Sequence, residues 1–211
     1  MPDLSIIINT CAGTMEQEVL QRRGTFGHPD AHPYAARAAK LERIVEQYVT
    51  LQHELIVVGE WHAGDGYQYV HAPGPTRSPF DALLQRHVAT QVASGNQLLY
   101  LNDDHYVTPE HMDWFVDMVP HAHATAIGRR CYKEGKVYAM EDGWADGYFA
   151  GYIMGHACFM SRHAVNKVPW ISLDGSQWDV KHTIALHDAH LAIQYIPHLI
   201  AWDVEIGELP T

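Results

Sequence analysis

Three short apolar runs constrain the fold of this chain more than any other feature. They are "LSIIINT" at Leu4–Thr10, "ELIVVGE" at Glu54–Glu60 and "QLLYL" at Gln97–Leu101. Each is a continuous apolar run rather than an alternating one, the pattern of a strand buried on both faces of a parallel sheet. Segments of helical character separate them. "TMEQEVLQRR" reads as a helix start, with Thr14 as cap and Glu16 and Glu18 in the first turn. A loop rich in Gly, Pro and His follows at Gly24–Pro33, and then an amphipathic helix over Tyr34–Leu51. "PFDALLQRHVATQVAS" is a helix with Ser78 as its cap, Pro79 at its first position and Gly95 closing it. Strand and helix therefore alternate, which predicts an α/β fold with a largely parallel central sheet.

The second half is mixed. A short strand is expected at Tyr67–His71 and a helix in "TPEHMDWFVDMVP", capped by Thr108 with Pro109 next. A hairpin pairs Ala124–Tyr132 with Val137–Met140. "DGWADGYFAGYIMG" is a Gly- and aromatic-rich loop, "HACFMSRHAV" a strand entering a helix, and "WDVKHTIALHDAHLA" a helix. "IQYIPHLIAWDVE" supplies one or two closing strands, and the mixed second half predicts a small antiparallel addition to the sheet. At 211 residues this is one domain, residues 1–105 forming a first half and 106–211 a second.

In open α/β sheets, ligands bind beyond the carboxyl ends of the strands. Three polar strand ends meet that edge: Thr10, Glu60 and the string Asn102-Asp103-Asp104-His105. Adjacent carboxylates at a strand end suit Mg²⁺ or Mn²⁺, which takes one or two protein carboxylates and completes its shell with water and substrate phosphates. Such acids also cap a following helix, so the string alone does not decide.

Composition narrows the partners. The formal net charge of −11 argues against broad electrostatic binding to nucleic acid, although "QRRGTFGH" is a local basic contact. Three scattered cysteines, Cys11, Cys131 and Cys158, fit neither a disulfide framework nor a zinc site and predict a reducing compartment, the cytoplasm. The first residues lack the basic region and apolar length of a signal peptide, and no run approaches a membrane span, so a soluble protein is expected. The sixteen histidines are scattered, and His182 reads as a residue on a helix surface.

The ordered set of segments resembles glycosyltransferases of the GT-A fold, closest to the family 2 nucleotide-sugar transferases. "LSIIINT" and "ELIVVGEW" resemble that family's first two strands, "QRHVATQVASGNQLLYLNDDH" its Arg-Asn helix and Asp-x-Asp strand, "IMGHACFMSR" its strand ending in Arg, and "QWDVKHTIALHDAHLAIQYIP" its Glu-Asp helix with the strand after it. The resemblance covers nearly the whole chain. It implies an α/β, GT-A-like single domain whose first half binds a nucleotide-sugar donor and whose second half binds an acceptor.

By the same resemblance, Asn102 and Asp104 match the first and last acids of Asp-x-Asp, so Asp104 would hold the metal and the donor diphosphate. An alternative register pairs Asp103 with His105, and His105 is kept as a second metal ligand. Glu60 matches an acid that contacts the nucleobase, Gly59 replaces its partner acid, and Thr10 lies where the backbone approaches the base. Arg86 matches the Arg of Arg-Asn, with His87 in place of Asn. Donor binding is thus expected of Thr10, Glu60, Arg86, Asn102, Asp103 and Asp104. Asp179 matches the catalytic base of inverting members, with Trp178 in place of Glu; Trp178 and His156 are the expected acceptor contacts. Inversion needs one carboxylate to take the acceptor proton while that oxygen attacks from the face opposite the nucleotide. The bland role for Asp179 is a helix cap.

The expected activity is a metal-dependent (Mn²⁺ or Mg²⁺) inverting hexosyl or pentosyl transfer. The acceptor is a glycan, a small molecule or a hydroxymethylated DNA base. Two rivals stay open: a sugar nucleotidyltransferase, which "NTCAGTMEQE" disfavours by lacking a basic Gly-rich loop, and a catalytically silent binding module. "HDAH" at His187–His190 resembles the His-Asp doublet of metal phosphohydrolases, but those folds are all helical.

Overall fold

The computed structural model describes residues 3–10, 34–59, 65–72, 79–103, 105–118, 123–133, 136–139, 144–145, 148–149, 157–172 and 178–204. The expected helix at 14–23, the loops at 24–33 and 150–156, Glu60, Asp104 and His156 lie outside the described residues.

The predicted elements appear in order, with short strands added at 105–106 and, inside the segment read as loop, at 144–145 and 148–149. The elements are β1 (Leu4–Asn9), α1 (Tyr34–Tyr48), β2 (Glu54–Gly59), β3 (Gln68–His71), α2 (Pro79–Val92), β4 (Gln97–Asn102), β5 (His105–Tyr106) and α3 (Pro109–Met118). Then come the hairpin β6 (Ala124–Lys133) and β7 (Lys136–Ala139), the small pair β8 (Trp144–Ala145) and β9 (Tyr148–Phe149), and β10 (Ala157–Ser161). The chain continues with α4 (Arg162–Lys167), a 3₁₀ turn at Trp170–Ser172, α5 (Trp178–Asp188) and β11 (Ile193–Val204).

Among the described residues the main sheet has nine strands, in the order β3-β2-β1-β4-β10-β6-β11-β5, with β7 on β6. The first four run parallel. β10 is antiparallel to both β4 and β6, and β11 returns parallel to β6. The main sheet is thus of α/β type, with a parallel first half and an antiparallel addition. The closing segment is one strand with a register shift between Ile196 and Ile200, not two. Pro197 lies in that shift, where a missing N–H costs no ladder bond.

Both faces are buried, as the continuous apolar runs require. On one face Leu4, Ile6, Ile8, Leu99 and Leu101 pack under α1 (Leu41, Ile44, Tyr48) and α3 (Met112, Phe115). On the other, Ile7, Ile56, Val58, Leu98 and Tyr100 pack under α2 (Leu83, Ala89), α4 and α5 (Leu186). One strand thus feeds two cores, its odd and even residues taking opposite sides.

Two details at the amino edge set the position of α2. Gly95 does not end α2 as a left-handed cap. Its role is close approach, because a Cβ there would sit 2.7 Å from the backbone nitrogen and hydroxyl of Ser5. The Gly95 amide instead donates to Ser5 Oγ at 2.8 Å. The end of α2 is closed by Arg162, whose guanidinium donates to the carbonyls of Gly95 (2.8 Å), Thr90 (3.2 Å) and Ala93 (2.8 Å). A cation there satisfies orphan carbonyls and meets the negative end of the helix dipole.

Candidate functional site

The parallel register places the polar strand ends side by side. Asn9 of β1 pairs with Asn102 of β4, so the two amides share the α2 face. Thr10 and Asp103, one residue on, take the α1 face by alternation. The four residues form two layers at the carboxyl edge.

On the α2 side, Arg86 joins the layer. Its Nε donates to Asn9 Oδ1 and its Nη2 to Asn102 Oδ1, both at 3.2 Å, and Asn9 Nδ2 donates to Asn102 Oδ1 at 3.2 Å. Arg86 is only 1% exposed. Its guanidinium carbon lies 5.0 Å from the Trp170 ring centroid and 5.7 Å from that of Tyr100. Such stacking partly compensates the lost hydration of the cation. Burial still pulls the Arg86 pKa below its ordinary value, against opposing contributions from Cys158 and Tyr100.

The floor beneath this cation is buried and neutral. Burial pushes the Tyr100 hydroxyl up to about 12 despite its bond to Thr90, and the Cys158 thiol up to about 12. His182 stacks edge-on to Trp170 at 4.1 Å and donates from Nε2 to the Val168 carbonyl at 3.2 Å. Burial takes its pKa down to about 4, so it is neutral at pH 7. The expectation of a surface histidine is overturned: His182 is 0% exposed, on the inner face of α5.

On the α1 side, the Thr10 hydroxyl donates to Asp103 Oδ2 at 2.8 Å, with both residues buried. The Thr10 carbonyl accepts from Gln85 Nε2 at 3.1 Å, and its amide donates to the Val58 carbonyl at 2.9 Å. Gly59 explains how Thr10 comes so close to β2. A Cβ on Gly59 would lie 2.6 Å from both Thr10 Cγ2 and the Thr10 carbonyl oxygen. An acid at this position, as in the resembled family, would collide with Thr10.

Thr10, Asn102 and Asp103 therefore lie together at the strand ends, and Arg86 joins Asn102 from α2. His105 lies two residues beyond, buried in β5 and aligned with Asp203 of β11. Trp178 and Asp179 open α5, so Asp179 stands inside the first turn and not at the cap. Glu60, Asp104 and His156 lie outside the described residues. Sequence reasoning missed Asn9, Gln85 and Trp170. Asn9 ends an apolar run, and Gln85 precedes the singled-out Arg86, so both carried a faint signal. Trp170 carried none.

The Asp103 carboxylate and the His105 imidazole bracket position 104, a hard oxygen and a borderline nitrogen donor of the kinds Mn²⁺ accepts. Among the described residues no three His, Cys, Asp or Glu side chains gather to hold a metal. An ion here would draw the rest of its shell from Asp104, water and phosphate oxygens.

The sequence matches no protein-family model and no curated protein. Solved structures do match. S. aureus TarS 1-349 in complex with UDP-GlcNAc superposes with a TM-score of 0.61 at 11% identity, over 98% of this chain and 60% of that one. A second crystal structure of S. aureus TarS 1-349 gives 0.61 at 11%, over 96% of this chain and 60% of that one. A protein assigned as a nucleotide-diphospho-sugar transferase from Desulfovibrio desulfuricans gives 0.55 at 12%, over 98% of this chain and 83% of that one. The fold is that of GT-A-like nucleotide-diphospho-sugar transferases. The chain spans 60% of the length of the TarS structures. Among the described residues, no helix is long and apolar enough to cross a membrane.

Proposed function

We propose that this protein is a glycosyltransferase that moves a sugar from a nucleotide-diphosphate donor to an acceptor hydroxyl, in the cytoplasm. The observation that carries the reading is the polar edge of the GT-A-like sheet, where Thr10, Asp103, Asn102 and a buried Arg86 converge. Thr10 and Glu60 bind the nucleobase and ribose side of the donor. Arg86 holds the ends of β1 and β4 in register beside it. Asp179, in the first turn of α5, takes the acceptor proton as the acceptor oxygen attacks the anomeric carbon, and the configuration inverts. Trp178 and His156 contact the acceptor, which is a glycan, a small molecule or a hydroxymethylated DNA base. Asp104 and His105 would hold Mn²⁺ or Mg²⁺, which supplies positive charge to the departing diphosphate.

A donor screen tests this. UDP-, GDP-, CDP- and dTDP-sugars are mixed with the protein, with and without Mn²⁺, and thermal shift and donor hydrolysis are followed. UDP-sugars come first because TarS was crystallised with UDP-GlcNAc. One donor should stabilise the protein in the presence of metal, since a ligand of the native state raises its stability. Asp104→Asn should abolish that shift, whereas Asp179→Asn should keep it and lose hydrolysis. No shift with any donor overturns the reading. A silent binding module is the second reading, favoured by neutral Asn9 and Asn102 at the guanidinium. It predicts donor binding without turnover, even with acceptors supplied.

A further inference from the structure

Lys40 occupies the second turn of α1 and is 1% exposed. Its Nζ is buried and, among the described residues, makes no hydrogen bond. The residues that share its side of the helix, Leu41, Ile44 and Tyr48, belong to the apolar core against the sheet. A position serving only that core would hold Leu or Met. A desolvated ammonium with no acceptor is among the costliest arrangements an interior can contain. Its presence asks for an anion.

The place of Lys40 says which anion. α1 ends at Tyr48 and β2 begins at Glu54, beside Ser5 of β1, so α1 runs from the carboxyl edge of the sheet back to its amino edge. Lys40 lies eight residues before Tyr48, about 12 Å up the helix axis. Helical side chains lean toward the helix N-terminus, so the lysine stem extends further toward the carboxyl edge. A six-residue strand rises roughly 17–20 Å, which brings Nζ to the level of the strand ends. On the face that α1 covers, those ends are Thr10 and Asp103, which continue the rows of Ile8 and Leu101.

We propose that Lys40 is an anion-binding residue of the crevice, its ammonium completed by phosphate oxygens of the bound nucleotide. This deepens the donor-binding reading above and rests on it. Lys40 stands on the α1 side of the Thr10–Asp103 pair, opposite the Arg86 layer. It adds a point charge that three phosphate oxygens can satisfy, which matches the three donors of an ammonium.

The test compares the wild type, Lys40→Met and Lys40→Arg by calorimetric titration and thermal shift. The probes are UDP, uridine and inorganic pyrophosphate. Lys40→Met should weaken UDP binding about tenfold or more, the loss expected for one charge-assisted bond to phosphate. Uridine binding should not change, and Lys40→Arg should keep most of the UDP affinity. Without ligand, Lys40→Met should melt at or above the wild-type temperature, because an unsatisfied buried charge is gone. Folded Lys40→Met that binds UDP like the wild type overturns the proposal. So does Lys40→Met that is less stable than the wild type or does not fold, since the ammonium would then already be satisfied. If the wild type binds no UDP, the donor reading falls and pyrophosphate decides Lys40 separately. Stabilisation by pyrophosphate that Lys40→Met loses supports the anion site; none in either protein overturns it.

Discussion

Replacing Arg162 with Met should loosen the helix that carries Arg86 and Gln85, although Arg162 touches neither. Its guanidinium donates three bonds, to the carbonyls of Thr90, Ala93 and Gly95, all at the end of α2. All three residues are buried, so water cannot freely replace the lost donors. A hydrogen bond to a charged group contributes about 1.5–3 kcal/mol. The three share one partly exposed side chain and are not additive, so the total loss should be about 3 kcal/mol. For a chain of this size that lowers the melting temperature by about 6–12 °C. Differential scanning calorimetry reads the loss, and hydrogen exchange locates it. The Ala93 amide, bonded to the Ala89 carbonyl at 3.0 Å, should exchange faster, while β2 amides should change only with global stability. Arg162→Lys should recover less than half, because an ammonium cannot reach three divergent carbonyls as a planar fork does. Full recovery in Arg162→Lys, or a loss under about 1 kcal/mol in Arg162→Met, would refute the fork as the device that closes α2.

Two pH dependences follow from the buried groups. His182 is neutral in the folded protein, its pKa lowered from 6.5 to about 4 chiefly by burial. Its contribution is complete above pH 6.5 and is lost as the pH falls toward 4, by up to about 3 kcal/mol. Urea unfolding across that window should show the slope in the wild type and a flatter one in His182→Gln. Glu54 behaves differently. Burial raises its pKa, but bonds from Ser5, Ser94 and Gly95 outweigh that and lower it from 4.5. Its stabilisation is therefore present above pH 4.5 and lost below it, so Ser5→Ala should steepen no slope above pH 5 but should lower stability there.

How the site could be read from sequence follows from these same residues. Thr10, Asn102 and Asp103 were legible because a continuous apolar run that stops at polar residues marks a strand end, and parallel strands bring such ends together. Arg86 was legible only through its match to a family helix; nothing local separates it from a surface arginine. Its burial depends on Trp170, eighty-four positions away in a 3₁₀ turn, which no period in the sequence announces. His182 misled for the same reason, and Lys40 carried no signal at all. Polar residues on amphipathic helices are expected to face water, and only packing reveals which ones face the core.

The sequence by itself determined the order of strands and helices, the parallel first half of the sheet and the edge where chemistry belongs. Those properties depend on local periodicity and on strand ends, which neighbours in the chain specify. The tertiary structure alone decided which polar groups share a layer. The register of β1 on β4 set Asn9 beside Asn102 and Thr10 beside Asp103. Gly59 and Gly95 acquired their meaning only there, as two points where another strand comes too close for a side chain. Contacts of that kind join residues many tens of positions apart, so the physics that selects them acts across space and leaves no mark along the chain.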